Sequence, residues 1–161
     1  MFDIVTLDLP EDSGVESQVE KTASIKGVLG NQKVLIVDDN NINLLVAGKT
    51  LENWGFDYVL AHNGVEAVAK VQEEDFAAVL MDLHMPKVDG YAATSAIRSI
   101  GNEKFLSLPI IALSGSVDLF QVENLKAIGF SEFLVKPYKP QDLRDKILKV
   151  VAGEKEEFLP L

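Results

Sequence analysis

A chain of 161 residues with 25 acidic and 15 basic side chains, a net charge of −10 and no cysteine can bury a core without disulfide or thiolate-metal staples. Its acidic balance opposes nonspecific attraction to nucleic acid or anionic membrane, and no apolar run approaches the roughly 18 residues of a spanning helix. The opening MFDIVTLDLPED lacks the basic-then-apolar order of a secretion signal, so a soluble, cytoplasmic segment that contacts neither membrane nor nucleic acid is expected.

Charge divides the chain unevenly: residues 1–32 hold six acids and two bases, 33–153 sixteen and twelve, and 154–161 three and one. Residues 10–32 mix charge, Ser and Gly without sustained periodicity, which reads as a linker. The folded domain is expected over 33–153, between an N-terminal tail, 1–32, and a C-terminal tail, 154–161.

From Lys33 onward a short apolar run alternates with a helix-period segment five times, the pattern of an α/β domain with a parallel sheet. The first run, Val34 to Val37, is followed by a helix whose Ala47, Thr50, Leu51 and Trp54 share one face. Tyr58 to Ala61 leads to a second helix lined by Gly64, Ala67, Val68 and Val71, with Asn63 and Glu66 spaced as a helix-starting capping pair. Phe76 to Met81 leads to a third with a stripe of Ala93, Ala96, Ile97 and Ile100, ended by Gly101. Ile110 to Leu113 precedes a less tidy segment, Ser116 to Ile128, where Leu119 and Phe120 lie about 100° apart on a helix, so at least one is expected to stay partly exposed and available to a partner. Phe133 to Val135 leads to a last helix that opens with Pro140, is lined by Leu143, Ile147, Val150 and Val151, and stops at Gly153. Runs apolar on successive residues suit strands covered on both faces.

Chemistry-bearing groups recur where these strands end: Asp38 and Asp39, then Asp82, Ser114 and Lys136. In a parallel sheet such positions converge on one edge and form one pocket. Each residue alone has a plainer reading, the Asp pair as a loop or helix cap, Ser114 as a turn former and Lys136 as a surface charge. Their coincidence carries the argument. Three neighbouring carboxylates need a cation, and hard oxygen ligands suit Mg²⁺ better than zinc, for which the Cys and His spacing is missing. His84, beside a Met-Pro turn, is weak evidence for metal ligation by its side chain. Asp82, opening the turn DLHMPKVDG near solvent, is the best-placed nucleophile; a carboxylate can form an acyl-phosphate where Mg²⁺ and a lysine offset phosphoryl charge.

The segments VLIVDDNNINLLVA, VLMDLHMPKVDG, IIALSG and FLVKP, in that order, closely resemble the receiver domain of two-component signalling proteins over residues 33 to about 152. The resemblance implies a flavodoxin-like (βα)5 three-layer sandwich with a five-stranded parallel sheet of order 2-1-3-4-5, two helices on one face and three on the other. By position it implies that Asp82 accepts the phosphoryl group, that Asp39, Asp82 and the His84 carbonyl hold Mg²⁺ with Asp38 assisting through water, and that Lys136 contacts the phosphoryl group. Ser114 and Phe133 resemble the hydroxyl and aromatic pair that rearranges on phosphorylation. His84 and Gly115 depart from the commonest pattern, and both are expected to modulate phosphate lifetime. Residues 1–10 resemble the closing strand of a histidine-kinase ATP-binding domain, and NNIN resembles receivers of hybrid kinases. The implied partners are a histidine kinase domain, in the same or another chain, and a histidine-containing phosphotransfer protein or downstream regulator.

Two other classes share parts of this pattern. Aspartate-nucleophile phosphohydrolases of the haloacid-dehalogenase type carry a second acid two residues after the nucleophile, where Asp38 is followed by Asn40. A pseudoreceiver keeps the fold as a pure interaction module; the intact set of Asp38, Asp39, Asp82, Ser114 and Lys136 argues against it.

Overall fold

The computed structural model describes residues 33–152. The expectations for the N-terminal tail and linker, the kinase-like strand at 1–10, the stop at Gly153 and the tail 154–161 lie outside the described residues.

Five strands form one parallel sheet: β1 (Lys33–Val37), β2 (Asp57–Ala61), β3 (Phe76–Asp82), β4 (Ile110–Ser114) and β5 (Glu132–Val135), in the order β2-β1-β3-β4-β5. The central strands β1, β3 and β4 are buried almost throughout, as their unbroken apolar runs require.

The helices are α1 (Asn41–Asn53), α2 (Gly64–Glu73), α3 (Gly90–Ser99), α4 (Glu103–Ser107), α5 (Leu119–Ile128) and α6 (Pro140–Val151). Leu44, Ala47 and Leu51 of α1 and Leu143 and Ile147 of α6 bury one face of the sheet with Val34, Ile36 and Leu134. Ala67 and Val71 of α2, Ala93 and Ile97 of α3, and Val122 and Leu125 of α5 bury the other, with Leu35, Val79 and Phe133. The flavodoxin-like arrangement, two helices against three with α4 as a short addition, is the one the resemblance implies.

Two local expectations need correction. In α3 the buried stripe is Gly90, Ala93, Thr94 and Ile97, while Ala96 is exposed and Ile100 lies beyond the last helical residue. The choice by hydrophobicity set the stripe about a sixth of a turn off, because a threonine occupies an inward position. Among the described residues the buried Thr94 Oγ1 has no hydrogen-bond partner. The fourth main helix begins at Leu119, not near Ser116, since the Asp118 side chain caps it and forms a reciprocal capping box with Gln121. Phe120, in its first turn, is 79% exposed, in line with the adjacent-position argument. Gly101, just past α3, has φ +91, where a left-handed residue ends a helix most easily when it lacks a Cβ.

Candidate functional site

Parallel register brings the strand ends together. Val37 of β1 lies opposite Met81 of β3, so Asp38 follows β1 beside Asp82, the last residue of β3; Ser114 ends β4 opposite Val135, and Lys136 follows. One carboxylate oxygen from each of Asp38, Asp39 and Asp82 lies within 4.8 Å of the other two. Asp38 and Asp82 are buried and Asp39 is exposed, so the cluster opens to solvent on one side.

Lys136 reaches into this group with its ammonium 3.3 Å from both Asp38 Oδ2 and Asp82 Oδ1. Further donors fix the carboxylates. The Asn40 N–H donates to Asp38 Oδ1 at 2.9 Å, Asn43 Nδ2 to Asp38 Oδ2 at 3.2 Å, and the His84 N–H lies 3.5 Å from Asp82 Oδ1. Asn40 also caps α1 through its side chain, accepting from the N–H groups of Ile42 and Asn43. The phosphohydrolase pattern needs its second acid at this position; here a helix cap fills it.

One ammonium faces three carboxylates, and the electrostatics follow. Burial pushes the Asp82 carboxyl above its usual range, with the neighbouring Asp38 charge adding to the rise and Lys136 opposing it. For Lys136 burial works against the charged form, but Asp38 and Asp82 outweigh it and hold the ammonium above its ordinary pKa. The donor set is all oxygen, carries excess negative charge and has an open side for water, which fits a hard divalent cation such as Mg²⁺.

The loop after Asp82 folds back tightly. The Gly90 N–H donates to the Leu83 carbonyl at 3.1 Å, and a Cβ added at Gly90 would stand 2.2 Å from the Asp82 carbonyl oxygen. Only glycine lets the first turn of α3 approach the end of β3 this closely.

Ser114, buried, donates its hydroxyl to the Ser116 carbonyl at 2.8 Å and accepts the Ser116 N–H at 3.3 Å. Phe133 is 6% exposed, so its ring is already enclosed in the α2/α3/α5 core. His84 is exposed, with its ring 6.4 Å from that of Tyr91 in an edge arrangement. A Cβ added at Gly115 would meet nothing within 4 Å, so this glycine borders open space and is not demanded by packing.

Asn40 and Asn43 were not singled out as parts of the cluster. The signal was present, since Asx residues two and five positions after a buried Asp, at a helix start, fall within reach of its oxygens.

A doubly wound parallel sheet of this strand order, with an acidic pocket and a lysine at its carboxyl edge, is the flavodoxin-like α/β class. The chain belongs to the response regulator receiver domain family, which its sequence matches over residues 34–148. It is 41% identical over 118 residues to the sensor protein GacS of Pseudomonas syringae pv. syringae, an alignment covering 73% of this chain and 13% of that protein. It is 33% identical over 141 residues to hybrid signal transduction histidine kinase B of Dictyostelium discoideum, covering 82% of this chain and 7% of that protein. The chain thus spans a small part of these relatives.

Among solved structures it resembles the receiver domain of sensor histidine kinase PA1611 from Pseudomonas aeruginosa (32% identity, TM-score 0.69, 76% of this chain and 99% of that one), which was solved with a magnesium ion in its active site cleft. It also resembles the chemotaxis protein CheY4 of Vibrio cholerae (30% identity, TM-score 0.70, 74% and 98%). No helix among the described residues is long and apolar enough to cross a membrane.

Proposed function

We propose that this receiver domain accepts a phosphoryl group on Asp82 from a phosphohistidine and that it acts within a cytoplasmic hybrid-kinase phosphorelay. The observation that carries the reading is the cluster of Asp38, Asp39 and Asp82 oxygens within 4.8 Å, met by Lys136 at 3.3 Å from two of them. The hybrid-kinase names of its relatives support the context. Partners of the matching chemistry are a histidine kinase domain and a histidine-containing phosphotransfer protein.

In the transfer, an Asp82 carboxylate oxygen attacks phosphorus; the O–P bond forms as the N–P bond of phosphohistidine breaks, and the leaving imidazole takes up a proton. Lys136 offers a charge-assisted contact to the incoming phosphoryl oxygens, and the Asn40 and Asn43 donors keep Asp38 turned into the pocket. Mg²⁺, held by Asp39, Asp82 and the His84 carbonyl with Asp38 assisting through water, would neutralise the phosphoryl charge. Ser114, released from the Ser116 carbonyl, donates to a phosphoryl oxygen, and Phe133 repacks in response. His84 at the mouth and the open space at Gly115 govern the approach of hydrolytic water. His84→Ala therefore changes phosphate lifetime more than phosphorylation competence.

The test is incubation with Mg²⁺ and a small acyl-phosphate donor, followed by intact mass before and after hydroxylamine. One labile phosphate that is absent from Asp82→Asn supports the reading. Phosphate retained in that variant relocates the acceptor, multiple turnover of phosphate esters favours a phosphohydrolase, and no phosphate at all favours a pure interaction module.

A further inference from the structure

Asp38 is 3% exposed, and donors of different kinds engage both of its oxygens. Oδ1 accepts the Asn40 N–H at 2.9 Å. Oδ2 is shared: the neutral Asn43 amide donates to it at 3.2 Å and the Lys136 ammonium at 3.3 Å. The ammonium also lies 3.3 Å from Asp82 Oδ1, whereas the amide comes from the opposite side of the carboxylate's surroundings, on α1.

Local structure places Asn43 for this contact. It is the third residue of α1, and its N–H donates at 3.1 Å to the Asn40 side chain that caps the helix. Asn40 thus ties down both Asp38, through its own N–H, and the turn that carries the Asn43 amide. Neither propensity nor packing demands an asparagine here, since Asn is a poorer helix former than Ala or Leu and Asn43 is exposed. What the side chain gains is its bond to a buried carboxylate.

The sharing of Oδ2 decides what that bond does. The terminal torsion of an aspartate is soft, so the direction of its carboxylate is set by its donors. Without the amide the restraint from α1 is lost and the carboxylate can rotate toward Lys136. A tighter Asp38–Lys136 pair would cancel negative charge that the three-carboxylate cluster otherwise offers to a cation.

We propose that Asn43 is a positioning residue for the divalent cation: its amide keeps Asp38 from closing on Lys136 and so sets the affinity of the acidic cluster for Mg²⁺. The proposal rests on the metal-assisted phosphoacceptor reading above and names the side chain that tunes it. Donors that orient the carboxylates of a metal site are worth roughly ten-fold in affinity. At saturating Mg²⁺ the cation's own charge draws Asp38 back from the ammonium, so the maximal rate of phosphorylation should change little.

The experiment titrates the whole chain with Mg²⁺ alone, followed by nuclear magnetic resonance, and separately measures Asp82 phosphorylation by acetyl phosphate as a function of Mg²⁺. Asn43→Ala drops the donor, and Asn43→Leu drops it while keeping a similar shape. Both are expected to bind Mg²⁺ roughly ten-fold more weakly and to need correspondingly more of it for half-maximal rate, with the maximal rate within about three-fold of wild type. In a Lys136→Met background, where Asp38 has no ammonium to close on, the same substitutions should alter Mg²⁺ affinity by no more than about two-fold. Unchanged affinity in both variants overturns the proposal. So does a loss confined to Asn43→Ala, which would trace to missing volume, or an equal loss with and without Lys136. If the wild type itself binds no Mg²⁺, the metal-assisted reading fails instead, so the two failures are distinguishable.

Discussion

The two ends of β5 carry opposite charge imbalances. At its carboxyl end Lys136 is one ammonium among three carboxylates, and at its amino end Glu132 is one carboxylate between two ammoniums. The first cluster has an exposed member, Asp39, whereas the carboxylate of the second is enclosed and each of its oxygens already has a lysine. An open cluster short of positive charge is arranged to receive something, and a closed one whose carboxylate is fully engaged is arranged to hold something. Three residues of the chain, 133–135, separate the open acidic cluster from the closed tie.

That contrast can be broken most severely at the open end. Lys136→Met should slow phosphorylation of Asp82 by roughly a hundred-fold, as expected when a fixed donor to a charge-bearing centre is lost; an effect under three-fold would mean that the lysine is a bystander. At the closed end the cost should appear in stability. Glu132→Ala leaves two ammoniums without their shared partner, and a loss of about 2–3 kcal/mol in urea unfolding is expected, less than for a fully enclosed pair because both lysines can swing toward water.

Substitution at Asp82 should do the reverse. Burial raises its pKa in the folded state, so the folded chain binds that proton more tightly than the unfolded one; the linked stability is complete below about pH 4 and is lost as pH rises through the raised value. Asp82→Asn should therefore raise Tm at neutral pH without metal, by roughly 2–4 °C. The gain should vanish on acidification through the carboxylate range, and a lower Tm at neutral pH would contradict the electrostatic account. The smallest change concerns neither cluster. Thr94→Val removes a buried hydroxyl without a partner among the described residues and should stabilise by about 0.5–1 kcal/mol, seen as a higher urea midpoint with an unchanged slope.

The same contrast explains what could be read from the chain beforehand. The central strands announce themselves because burial on both faces demands uninterrupted apolar runs, and the pocket follows because parallel strands deliver their end residues to one edge. Helix α4 was not foreseen, since five residues span fewer than two turns and display no periodicity. Thr94 misled because an inward polar residue breaks the apolar stripe. Glu132 escaped notice because an acid at the edge of an apolar run reads as a boundary. Its partners, Lys146 and Lys149, are 14 and 17 residues away in sequence. Their spacing of three places them on one side of a helix, but nothing local says which acid they meet.

The empty space beside Gly115 has a practical use. Because the chain contains no cysteine, Gly115→Cys would introduce a single thiol next to Ser114, at a position where an added Cβ meets nothing within 4 Å. A spin label or fluorophore attached there would watch the pocket rim in real time without native thiols to block or disulfides to reduce.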